Sequence, residues 1–208
     1  MKCKWKLVLL QLAMTLCLLA VSQSAVNSKT ASSSTQSEAL VRGLYSDVVA
    51  RHPLGVPSGE DLKVFTPYLS KALLHRIDIN FACQHDWDRK NPDPNSKPPF
   101  LEFGFFTGVD LRAEPRSFDI EKSQLEKDGS IRVYVKFIHD DPGGNPWTWH
   151  VAVILIRENG HLVVDDVIFL KDSPKGVDVL LSEYLTQGCD GPHWVGHRNP
   201  QDDRMPQK

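Results

Sequence analysis

The chain has 208 residues with 24 Lys+Arg against 26 Asp+Glu, a formal charge of −2, and 41% hydrophobic residues. That length suits one domain with a sufficient core. The slightly acidic balance argues against a nucleic-acid partner, which needs a basic surface.

The opening reads as a secretory signal peptide over residues 1–25. Lys2, Lys4 and Lys6 precede an apolar run, Leu7–Val21, broken only by Gln11 and Thr15, and small residues follow at Ser22, Ser24 and Ala25. At about 1.5 Å per residue the run spans roughly 22 Å, short of the roughly 30 Å of a bilayer core. No later segment is apolar for long enough, so no integral membrane segment is expected in the mature chain. Cys17 follows the bulky Leu16, which disfavours a lipoprotein. Cleavage would remove three cations and leave 21 against 26 anions, a charge of −5. The expected location is exported, periplasmic or extracellular.

Residues 26–37 are rich in Ser and Thr and read as a flexible leader. Ser37 is placed to cap a helix from Glu38, with Leu40, Val41, Leu44, Val48 and Val49 at helical spacing and His52-Pro53 ending it. A turn at Leu54–Ser58 leads to a short helix, Glu60–Phe65. Pro67 then sits in the first turn of a longer helix whose apolar stripe is Leu69, Leu73, Ile77 and Phe81. The prolines of Asn91–Pro99 prescribe a loop. Phe100–Phe106 carries four phenylalanines and reads as a buried irregular segment.

After Pro115 the period changes to two. Strands are predicted from Phe118 to Leu125, from Ile131 to Phe137, from Thr148 to Arg157 (central) and from His161 to Leu170, joined by turns at Lys127–Ser130 and Glu158-Asn159-Gly160. A last helix covers Gly176–Thr186, and residues 196–208 form a polar tail. The domain is placed at 38–195. The expected class is α+β: N-terminal helices packed on an antiparallel sheet of about four strands, plus a C-terminal helix.

Two segments carry a resemblance: Phe65-Thr66-Pro67-Tyr68-Leu69-Ser70-Lys71, and Gly160-His161-Leu162-Val163-Val164-Asp165-Asp166-Val167. Together they resemble exported bacterial proteins of unknown function in the nuclear transport factor 2-like superfamily, with cystatin-like α+β rolls. Leu162 departs from that pattern, where Trp is common. The resemblance spans roughly Glu38–Leu170. It implies a cone-shaped fold whose curved sheet surrounds a pocket, and no particular chemistry.

Nucleotide-binding, serine-hydrolase and zinc-protease signatures are absent from the sequence, and no cofactor or metal is called for. His85-Asp86-Trp87-Asp88 with Asn91, Asp93 and Asn95 is dense in oxygen ligands, but lacks a calcium-loop glycine and reads as a helix end before a solvated loop. His139–Asn145 reads as a turn with acidic caps. Cys83 and Cys189 remain after cleavage, and in an oxidising compartment they form the expected disulfide pair. For catalysis, Asp166 or Asp165 would serve as a base inside the cone, assisted by Tyr134, His150 or His139. Alternation puts Asp166 with Leu162, Val164 and Ile168, and Asp165 with Val163, Val167 and Phe169, on opposite faces. Trp147, Trp149 and Tyr134, with Trp194, are candidates for ligand contact. The primary expectation is a noncatalytic module binding a small apolar ligand or a protein partner. The rivals are an isomerase or lyase using the aspartates, and an exported inhibitor or immunity-type protein.

Overall fold

The computed structural model describes residues 34–93, 103–109, 114–140, 143–144, 146–172 and 178–187. The chain divides into two compact units, Met1–Gln36 and Ser37–Lys208; of the first, only 34–36 are described, as the opening of a helix. The expected signal peptide over residues 1–25, Cys189, Trp194 and residues 196–208 lie outside the described residues.

Helix α1 covers 34–51. It starts upstream of the expected cap: Ser37 is a fully buried helical residue whose hydroxyl reaches the Ser123 hydroxyl, 3.5 Å away. Val41, Leu44, Tyr45 and Val48 form its buried face. The helix closes at His52, whose φ of 48° is the left-handed conformation common just past a helix end, and whose N–H donates to the Val48 carbonyl at 2.9 Å. Helix α2, Gly59–Phe65, follows the turn and buries Phe65. Pro67 belongs to a separate 3₁₀ turn, Thr66–Tyr68, rather than to the long helix. That helix, α3, is Lys71–Lys90, and its cap is Ser70, whose hydroxyl accepts the Leu73 N–H.

The sheet is antiparallel throughout, in the order β1-β2-β3-β4-β5. Its strands are β1 (Ser117–Leu125), β2 (Ile131–His139), β3 (Trp147–Glu158), β4 (His161–Phe169) and the two-residue β5 (Val179–Leu180). The fifth strand occupies part of the expected last helix, which shortens to α4, Leu181–Gln187. Asn159 (φ 51°) and Gly160 (φ 84°) both take positive φ, the requirement of a two-residue hairpin turn matching strand twist. Two register shifts interrupt the ladders, one between Ile120 and Lys122, the other opposite Ile154/Leu155. Such bulges bend and twist a sheet.

One face of the sheet carries the core. Val133, Val135 and Phe137 of β2, Trp149, Val151, Val153 and Leu155 of β3, and Val164, Val167 and Phe169 of β4 are all fully buried. They form one cluster with the buried residues of α1, α2, α3 and α4. Phe103, Phe105 and Phe106 fill the space between the layers: Phe106 packs on Phe65 at 4.9 Å and Phe103 on Phe169 at 5.7 Å. Gly108 lets this segment pass under the Phe169 ring. A Cβ there would stand 2.5 Å from a ring carbon, and its φ of 72° disfavours any side chain.

Candidate functional site

The register decides which groups can meet. The second bulge places Asp166 opposite Ile154 and Val164 opposite Leu155, leaving Asp165 as the extra residue. Leu162, Val164, Val167 and Phe169 therefore all belong to the core face, and strict alternation along β4 is overturned. The bulge lets two consecutive aspartates sit in a strand without either entering the apolar core.

Each aspartate is engaged structurally. Asp165 accepts the Ser70 hydroxyl at 2.7 Å; that hydroxyl caps α3, and the Ser70 N–H donates to the Val164 carbonyl at 2.8 Å. Asp166 is 8% exposed. Its Oδ1 accepts the N–H groups of Val167 (2.8 Å) and Ser182 (3.1 Å), and Arg76 lies 3.9 Å from Oδ2. Burial pushes its carboxyl above the usual range, opposed by the Ser182 and Val167 hydrogen bonds and by Arg76. The carboxylate thus ties β4 to the start of α4 and to α3.

Tyr134 and His150 stand on the sheet face opposite the core, in register with Ala152 and Lys136 respectively. Lys122 lies over the Tyr134 ring, 4.3 Å from its centroid. The imidazole of His150 is held at both nitrogens, Nδ1 by Asp172 and Nε2 by Glu121 Oε1 at 3.3 Å. A general base needs a nitrogen free to take a proton from substrate. In this arrangement both His150 nitrogens are engaged by Asp172 and Glu121, and no hydrogen bond joins Tyr134 or His150 to Asp165 or Asp166. The four expected catalytic residues are therefore spread over two regions instead of converging in a cone.

Trp147 and Trp149 do meet, stacked at 4.8 Å, but they continue the core. Trp149 is fully buried, donates Nε1–H to the Thr107 carbonyl at 2.9 Å and packs on Phe137 at 5.2 Å. Trp147 is the half-buried end of this aromatic row, on the face opposite Tyr134, so the three do not form one platform. His139, nearby, donates Nδ1–H to the Glu114 carbonyl at 2.7 Å. Cys83 is fully buried on α3.

A cavity of about 20 Å³ between Val48, His52, Leu54, Thr107, Val109 and Glu114 has room for about one water, against the roughly 300 Å³ or more of a ligand pocket. His52 Nδ1 lies 3.5 Å from Glu114 Oε2 at its wall. A larger groove of about 470 Å³ runs along α3 past Ser58, Phe81, Gln84, His85 and Asp88 and is open to solvent. Asp86 of the acidic cluster pairs with Arg89. Among the described residues no group of three His, Cys, Asp or Glu is arranged to hold a metal, and no helix is long and apolar enough to cross a membrane.

The sheet's second face, opposite the core, forms a continuous surface. Register pairs Tyr134 with Ala152, Ala152 with Ile168, Arg132 with Ile154, Ile154 with Asp166, and Ile156 with Val163. Ile154, Ile156, Val163 and Ile168 are half-buried there, bordered by Arg132, Lys136 and Lys122. Its signal in the sequence is the alternation of β3, where His150, Ala152, Ile154 and Ile156 lie between the core residues. No protein family, curated protein or solved structure matches the chain.

Proposed function

We propose that this protein is an exported, noncatalytic interaction module that docks a protein partner on the face of the sheet opposite its core. One observation carries the reading: Ile154, Ile156, Val163 and Ile168 form an aliphatic patch on that face, while the described helices bury their apolar residues in the cluster on the other. A water-facing side of an antiparallel sheet is ordinarily polar. An aliphatic patch with a charged and aromatic rim (Tyr134, Arg132, Lys136) has the makeup of an interface centre. Separation of Asp165 and Asp166 from Tyr134 and His150 removes the support for an isomerase or lyase.

Export rests on residues 1–25, and the nuclear transport factor 2-like reading on the two quoted segments together with the order of helices before an antiparallel sheet. A photo-crosslinking residue placed at 154 or 168, with controls at the exposed helix positions Lys63 and Asp78, tests the docking face in the full chain expressed in its own host. The expected result is one adduct mass shared by 154 and 168 and absent from both controls, abolished by the Ile154→Lys/Ile168→Lys pair outside the labelled position. Adducts from the helix positions alone, or none from the sheet, would overturn the reading.

A further inference from the structure

The His150 cluster is not used by the docking reading and supports a separate conclusion. His150 lies at the centre of the sheet, Glu121 is the extra residue at the bulge of edge strand β1, and Asp172 follows the end of β4. The ring joins all three, reaching Glu121 across β2. An ionised carboxylate only accepts hydrogen bonds, and a neutral imidazole has a single N–H. With one proton the ring can satisfy one carboxylate while turning a lone pair toward the other. Only the doubly protonated ring donates to both.

We propose that His150 is a pH-operated latch: as imidazolium it fastens the β1 bulge and the segment after β4 to the central strand, and on losing a proton it releases one of them. The side chains of His150, Glu121 and Asp172 are 28%, 43% and 47% exposed, so solvent protons have access. Among the described residues, the other charged groups around the ring are Lys136, directly paired with it on β2; Asp119, opposite Lys136, and Lys122 on β1; and Lys171, whose N–H donates to Asp178 at 2.6 Å. Lys136 opposes the imidazolium and Asp119 offsets Lys136. Asp172 and Glu121 contact the ring directly.

Amide hydrogen exchange of the full chain between pH 5 and pH 8, corrected for intrinsic rates, tests the latch, because histidines change charge across this range. Protection at 120–122 or at 170–172 should fall by about two- to five-fold as the pH rises, the size expected of one partly exposed ion pair. His150→Gln should show the released level at both pH values. Glu121→Gln should abolish the pH dependence while keeping protection, because an amide can donate to the unprotonated nitrogen or accept from the protonated one. Equal protection at both pH values in the wild type, or a pH dependence that persists in His150→Gln, would overturn the proposal.

Discussion

The two faces of the sheet are built from alternate residues of the same strands, yet they do different work. In β3, Trp149, Val151, Val153 and Leu155 face a fully buried core, while His150, Ile154 and Ile156 between them stay half-exposed. On the core face, aromatic rings from α1, β2 and β3 interlock: Tyr45 packs edge-on against Phe137 at 4.9 Å, and Phe137 against Trp149. On the other face the aliphatic patch lies beside charged and charge–aromatic contacts that are partly solvated. Stability should therefore reside in the first face, and recognition, on the reading proposed, in the second.

Substitutions can break this contrast, beginning with the core. Trp149→Ala should lower unfolding stability by about 3–5 kcal/mol, through the cavity and the lost bond to Thr107, whereas Ile154→Ala should cost about 1 kcal/mol or less. Denaturant unfolding of both variants measures the ratio; equal losses would mean that the faces are not distinct. A Cys83–Cys189 disulfide is proposed next. Support comes from the sequence, where Cys83 and Cys189 are the two cysteines left once residues 1–25 are removed. Reduction should destabilise the protein by about 2–4 kcal/mol, and non-reducing peptide mapping should recover the linked pair.

Asp166 sharpens the comparison at the sheet edge. Asp166→Ala leaves the N–H groups of Ser182 and Val167 without their acceptor and should cost about 1–3 kcal/mol, while Asp166→Asn retains an acceptor and should cost far less. The pH dependence has a definite sign. The folded state raises this carboxyl's pKa, so its contribution becomes less favourable as pH rises from about 4, the unfolded value, through the higher folded value. The stability of Asp166→Asn relative to wild type should rise over that interval, as urea titrations on both sides of it would show. At the α3 cap, Ser70→Ala should cost about 1 kcal/mol.

Much of this architecture was legible. Alternation in Ile131–Phe137 and Thr148–Arg157 separated the faces correctly, and Glu158-Asn159-Gly160 announced the hairpin. The bulge at Asp165-Asp166 was not read, because one extra residue leaves composition unchanged; its trace was two adjacent charges in an otherwise apolar strand. Ser37 resembled a helix cap by residue type, but its burial inside α1 depends on Ser123, 86 positions away. Asn80 lay outside the apolar stripe of α3 and is nevertheless 1% exposed, because it donates to the Leu185 carbonyl of α4 at 2.9 Å. Local periodicity carries no information about such long-range partners. The candidate site suffered most: Asp166, Tyr134 and His150 have suitable chemistry, but only register shows that they do not converge.

Hydroxyl-radical footprinting of the protein purified from its own host, before and after mild dissociation of whatever it retains, tests the central claim directly. The account predicts that Tyr134, Ile154 and Ile168 are protected in the retained complex and become labelled on dissociation, while Trp149 and Phe137 stay unlabelled in both. Unchanged labelling of the three sheet-face residues, with protection appearing instead on α2 or α3, would contradict it.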